Sequence, residues 1–168
     1  MVSMETKYYL AKFQKAADGL DKQLLNQYKI EYKVGEWLDS VVLKMQKKSW
    51  AINSLDDKAF EHSIFFSIWL SDQPIKDNKL YYNIHALKLR SLPGYSIQSR
   101  EFAAAFRSRF KVAAHDWPNV SLDFGPQTLI EGWIKIDMIR FENDISDLVS
   151  KFIEIHGIID GLLEERRK

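Results

Sequence analysis

The side chains with the widest chemical range in this sequence are its four histidines, since imidazole acts as a general base and as a metal ligand. His85 lies on a predicted strand that follows the strand carrying Glu61, and Asp72 lies in the loop between the two. If Glu61, Asp72 and His85 converge in one cleft, they supply the groups of a metal-dependent nuclease or phosphodiesterase with a non-standard carboxylate set. This enzyme is our alternative hypothesis, and we favour a non-catalytic role.

Other chemistry-bearing motifs are missing from the sequence. It contains no GxGxxG, Walker or GxSxG sequence, and it has no cysteine that could act as a nucleophile or a zinc ligand. If the strands that carry His62 and His85 pair, these two imidazoles lie close together, but few carboxylates surround them. We therefore predict neither a cofactor nor a metal site.

Basic residues are concentrated in one segment. Residues 76 to 111 contain eight Lys and Arg against two acids, whereas the whole chain has a formal net charge of +1. Such a patch attracts phosphates or an acidic protein, or it pairs with the acidic C-terminal third within the fold. Our leading hypothesis is a binding module that contacts nucleic acid or an acidic protein through this segment. Its predicted binding face consists of Lys88 and Arg90 at a strand end and Arg100, Arg107 and Lys111 on one helix stripe.

Aromatic residues give a second candidate surface. The alternation around residues 61–70 places Phe65 and Trp69 on the face opposite Ile64, Phe66 and Ile68. Either both faces of the sheet are covered, or these rings are exposed and form a base-stacking or partner-binding platform. The basic residues beside that platform are Lys44, Lys48, Lys88 and Arg90. A small-molecule pocket between sheet and helix is a third hypothesis, which the sequence does not address.

The elements that position these residues follow from hydrophobic periodicity. A 3.6-residue period predicts a helix over residues 5–27, with Gly19 marking a kink or an early end. Further helices are predicted from Ser99 to about Ala114 and from Asn143 or Asp144 to the end of the chain. Period-two alternation predicts strands from residue 41, over 61–70 and 79–90, and over 120–124 and 130–138. Residues 29–40 are ambiguous.

These elements predict a single α+β domain over residues 1–168. It comprises an antiparallel β-meander plus a second hairpin, flanked by helices in the order α-β-β-β-α-β-β-α. The first six elements resemble in their order the core of the PD-(D/E)xK nucleases, in which the third strand carries a carboxylate two residues before a lysine. Here that strand reads His85-Ala86-Leu87-Lys88, so Ala86 stands where the carboxylate is required, and no catalytic residue is carried over.

The remaining predictions concern assembly and location. The closing helix is longer than a small sheet needs, and its last turn carries Leu162 and Leu163, which predicts a homodimer through this helix. The longest uncharged stretch has ten residues, too short for the ~18 that span a bilayer. With no cysteine and no signal peptide, we predict a cytoplasmic protein without membrane contact.

Overall fold

Five strands form one antiparallel sheet in the computed structural model, which describes residues 4–51 and 64–168. They lie side by side in chain order as β1 (Ile30–Trp37), β2 (Ser40–Lys47), β3 (Ile64–Leu70), β4 (Lys79–Ala86) and β5 (Thr128–Lys135). The predicted α+β class with an antiparallel meander is confirmed.

The helices flank this sheet as α1 (Met4–Asp18), α2 (Lys22–Gln27), α3 (Asp72–Lys76), α4 (Ser99–Phe110) and α5 (Phe141–Glu165). The predicted first helix ends early, as Gly19 indicated, and Asp21 caps α2 by accepting a hydrogen bond from the Leu24 amide at 3.0 Å. The α5 helix begins two residues before its predicted caps because Phe141 is buried against Phe13 of α1. Among the described helices, none is long and apolar enough to span a membrane.

Two strands differ from the predicted pattern. β1 lies in the ambiguous stretch and forms an edge of the sheet, joined to β2 by the two-residue turn Leu38-Asp39, where both residues have positive φ. Of the predicted second hairpin, only β5 is a full strand. The other arm makes one bridge, in which Ser121 and Glu131 exchange two backbone hydrogen bonds. Pro118 and Pro126 flank this arm and lack the amide donors that a longer ladder needs.

The hydrophobic core lies on one face of the sheet. The ring of Phe66 on β3 stacks on Phe152 of α5 at a centroid distance of 4.5 Å, and neighbouring side chains of β2 and β4 join the same cluster. Val42 and Phe65 point to the opposite face; they are 6% and 5% exposed, yet they lie outside that cluster. The second face of the sheet therefore buries side chains separately from the core.

Candidate ligand pocket on the second face of the sheet

Cross-strand pairing arranges the side chains of the second face in rows, because directly paired residues of antiparallel strands project to the same side. A polar row crosses four strands through Lys44, Ser67, Asn83 and Glu131. The next row is apolar and aromatic and contains Val42, Trp69, Tyr81 and Trp133. The sheet thus presents a line of hydrogen-bonding groups beside a line of rings.

A cavity of about 540 Å³ opens over these rows, within the roughly 300–1,000 Å³ typical of small-molecule sites. Its apolar lining consists of Trp37, Leu38, Val42, Phe65, Trp69 and Leu87. Its polar lining consists of Ser40, Lys44, Ser67, Asn83, His85 and Glu131. Largely apolar walls with a few convergent polar groups are the usual composition of a ligand pocket.

The polar row contains a hydrogen-bonded chain with a fixed direction. Ser67 Oγ donates to Asn83 Oδ1, and Asn83 Nδ2 donates to Glu131 Oε1 at 3.5 Å. Ser67 and Asn83 are each 3% exposed, whereas Glu131 is half-buried. Burial raises the pKa of the Glu131 carboxyl, and the bond from Asn83 acts in the opposite direction. Glu131 is therefore the accepting end of this chain.

His85 adds a second acceptor to the pocket. Its Nδ1 lies 3.3 Å from the carbonyl oxygen of Gln127 and 3.3 Å from Thr128 Oγ1. Since a carbonyl only accepts, Nδ1 carries the proton in the contact with Gln127. Burial lowers the pKa of His85, the bond to Gln127 opposes this, and the charge of Lys44 lowers it further. The neutral imidazole then keeps Nε2 as an acceptor.

The aromatic rings of the pocket contact the Lys44 ammonium and include an indole N–H, that of Trp69, which has no acceptor among the described residues. Lys44 Nζ lies 4.7 Å from the ring centre of Trp37 and 4.6 Å from that of Phe65, which are cation–π distances. Trp69 stacks on Tyr81 at 5.1 Å. Trp69 Nε1 is buried and has no hydrogen-bond partner in the described part of the chain. An unpaired buried donor costs about 1–3 kcal/mol. Nε1 is closed to solvent in this conformation, so the indole must turn toward the cavity before an acceptor supplied by a ligand can pair with it.

The structure separates Arg107 from the other four residues of the predicted basic face. Arg107 donates to the carbonyl oxygens of Gly125, Thr128 and Leu129 at 2.8–3.1 Å, so its guanidinium is used within the fold. The predicted helix stripe therefore keeps only its two ends as exposed cations, some 16 Å apart along the axis.

Four of the five predicted basic residues are exposed, namely Lys88, Arg90, Arg100 and Lys111. Their side chains make no hydrogen bond or ion pair with the residues that the structure describes. Phe102 and Phe106 of α4 are fully buried, as their spacing predicts.

Asp72 and His85, two of the three residues of the alternative enzyme hypothesis, are not brought together. His85 pairs with Phe65 near the start of β3, whereas Asp72 begins α3 just after Leu70 at the other end. The five-residue separation along β3 is roughly 17 Å, too far for a shared metal ion. Glu61 lies outside the described residues. Within residues 4–51 and 64–168, no group of three or more His, Asp and Glu could hold a metal ion.

The last turn of α5 is occupied within its own chain. Leu162 and Leu163 are 0% and 2% exposed and belong to the core. The homodimer was predicted on the premise that these two side chains are not needed to cover the sheet. The homodimer stays a prediction, but the burial of Leu162 and Leu163 removes that premise.

The sequence did not show that several of the pocket residues lie together. Phe65, Trp69 and Lys44 were singled out as a platform and His85 as a metal-site candidate, but Ser67, Asn83 and Glu131 were not connected. The available signal was a polar residue in the middle of a largely apolar strand, namely Ser67 in β3 and Asn83 in β4. No protein-family model, curated protein or solved structure matches this chain. Its function is therefore argued from geometry.

Proposed function

We propose that this protein is a binding module that holds a small planar ligand in the pocket on the second face of its sheet. The observation that carries the proposal is the indole N–H of Trp69, which is buried in the pocket wall without an acceptor among the described residues. Native proteins pair nearly all buried donors, so an unpaired one beside a cavity is well placed to bind a ligand acceptor.

The aromatic lining of the pocket supports a flat ligand. Trp37, Phe65 and Trp69 offer ring surfaces, and rings bury a large area with little loss of rotamer freedom. Leu38 lines the same cavity at its exposed turn; its side chain is 98% exposed with φ of 51°, which is rare for a leucine.

Contact with nucleic acid or an acidic protein through residues 76–111 stays a separate proposal with less support. Arg107 is engaged inside the fold, and Arg100 and Lys111 are far apart on α4. The four exposed cations, Lys88, Arg90, Arg100 and Lys111, are what still favours it. The metal-dependent enzyme has less support again, because Asp72 and His85 are separated by most of β3.

The pocket proposal can be tested through the indole N–H signals in a nitrogen-15 NMR spectrum of the full chain. We would titrate three flat probes of similar size, 2-aminobenzimidazole, benzimidazole and 2-naphthoate. We expect at least one to shift the Trp69 signal, which a Trp69→Phe variant assigns. Trp50 is the internal control, because its Nε1 already donates to Asp160 at 2.7 Å outside this pocket. The proposal is wrong if no probe at millimolar concentration moves Trp69, or if Trp50 moves equally.

A further inference from the structure

We infer that the ligand of this pocket is a planar nitrogen heterocycle that presents adjacent N–H donors to Glu131 and one acceptor to Trp69. This inference rests on the proposed function and specifies the ligand class of the same site.

The direction of the polar chain makes Glu131 an acceptor for a ligand. Asn83 Oδ1 is occupied by the Ser67 hydroxyl, so the Asn83 amide turns its donating end toward Glu131. A carboxylate accepts at about four lone-pair positions, and the bond from Asn83 is long. Among the described residues, no other side chain donates to the Glu131 carboxylate. Its remaining acceptor positions are available where the cavity meets β5.

The balance of donors and acceptors selects the heterocycle. Glu131 and the Nε2 atom of His85 both accept, whereas Trp69 Nε1 donates. A matching ligand therefore carries more N–H donors than acceptors. An amino group beside a ring N–H, as on the edge of guanine or of an aminoazole, gives two parallel donors that match the two oxygens of a carboxylate. Such rings are flat, as the aromatic walls require.

The cation of the pocket does not reverse this preference. Lys44 is held between the rings of Trp37 and Phe65, so its charge is already placed against two π-faces. Glu131, by contrast, carries the cost of a half-buried carboxylate with one long hydrogen bond. N–H donors from a ligand would reduce that cost, whereas a ligand carboxylate would add to it.

The three probes separate this inference from the proposed function. 2-Aminobenzimidazole has the adjacent N–H pair, benzimidazole lacks the amino group, and 2-naphthoate carries an anion instead. Because hydrogen bonds to a charged group contribute about 1.5–3 kcal/mol, we expect 2-aminobenzimidazole to bind at least tenfold tighter than benzimidazole. Glu131→Gln should reduce this ratio to about one. Glu154→Gln, on the exposed side of α5, is the matched control and should leave the ratio unchanged.

Each outcome has one interpretation. The ligand class is wrong, while the pocket proposal stands, if 2-naphthoate binds most tightly or if Glu131→Gln keeps the tenfold preference. The pocket proposal itself fails if none of the probes moves Trp69. An unchanged Trp50 signal shows that Glu131→Gln is folded. If that variant does not fold, Glu131→Asp replaces it: the shorter side chain withdraws the carboxylate, so a full tenfold preference in Glu131→Asp also overturns the inference.

Discussion

Arg107 and Leu129 are joined by a hydrogen bond from side chain to backbone, with Arg107 Nε donating to the Leu129 carbonyl oxygen at 3.1 Å. The Nη2 atom of the same guanidinium donates to Gly125 and Thr128 at 2.9 and 2.8 Å. One side chain of α4 therefore fixes the backbone that leads into β5, and β5 places Glu131 in the pocket. The cation assigned to a binding face by its spacing thus supports the second face of the sheet.

Replacement of Arg107 should destabilise the fold. Arg107→Met keeps the aliphatic stem but removes three hydrogen bonds, and it leaves partly buried carbonyl groups without their donor. We expect the free energy of unfolding in urea to fall by about 1–3 kcal/mol. The control is Arg100→Met on the exposed side of the same helix, which should change it by less than about 0.5 kcal/mol. Equal losses in the two variants would show that the three bonds contribute nothing specific.

The stability of the protein should depend on pH through Glu131. Its folded-state pKa is raised by burial, so the unfolded chain releases this proton more readily than the folded chain. The stabilising contribution is therefore fully present below the unfolded pKa and is lost as pH rises through the folded pKa. Glu131→Gln imitates the neutral carboxyl, so its urea midpoint should match that of wild type below about pH 4 and exceed it at neutral pH.

The Glu154→Gln variant controls for this titration, because the side chain is exposed on α5. Its midpoint should follow that of wild type at every pH. A Glu131→Gln variant that is less stable than wild type at neutral pH would mean that the carboxylate is compensated in the fold, contrary to the pocket geometry described above.

Two glycine-to-alanine substitutions should act in opposite directions. Gly132 on β5 pairs with Tyr82, and a Cβ there would overlap the Tyr82 hydroxyl and lie 2.9 Å from its Cε2 atom. The Tyr82 ring is fully buried and donates to the Pro118 carbonyl at 2.7 Å, so it cannot move away freely. We expect Gly132→Ala to cost about 1–3 kcal/mol, measured by thermal unfolding.

Gly157 supplies the matched comparison. It is exposed on α5, and no described atom outside its own helix backbone lies within 4 Å of a Cβ built there. Gly157→Ala should raise stability by about 0.5–1 kcal/mol, because alanine loses less backbone entropy in a helix. Should Gly132→Ala prove as harmless as Gly157→Ala, the close packing of Tyr82 against β5 would be disproved.

The sequence was sufficient for the elements with strong periodicity. Ile64, Phe66 and Ile68 alternate with the residues of the second face, and this alternation alone identifies β3 and its core side. β1 was ambiguous because an edge strand is partly exposed along most of its length and because Leu38-Asp39 is not a usual hairpin turn sequence. Both features depend on tertiary context.

The pocket could be predicted only in part for a different reason. Phe65 and Trp69 show their face by alternation, but Asn83 and Glu131 become neighbours only through the register between β4 and β5. These strands are separated by residues 87–127, so no local pattern specifies how they align. The hydrogen bonds of Arg107 could not be predicted, because helical spacing shows which face a side chain occupies, whereas its partners come from a distant loop.

The chain-order arrangement of the sheet also has a kinetic consequence. β1, β2 and β3 each pair with the next strand along the chain, and contacts between strands that are close in sequence form rapidly. β5 reaches β4 only after the segment 87–127 has closed, and the entropic cost of closure rises with the length of the loop. We therefore expect β5 to dock late in folding. Glu131 arrives with it, so the binding site is completed only when the last edge of the sheet is in place.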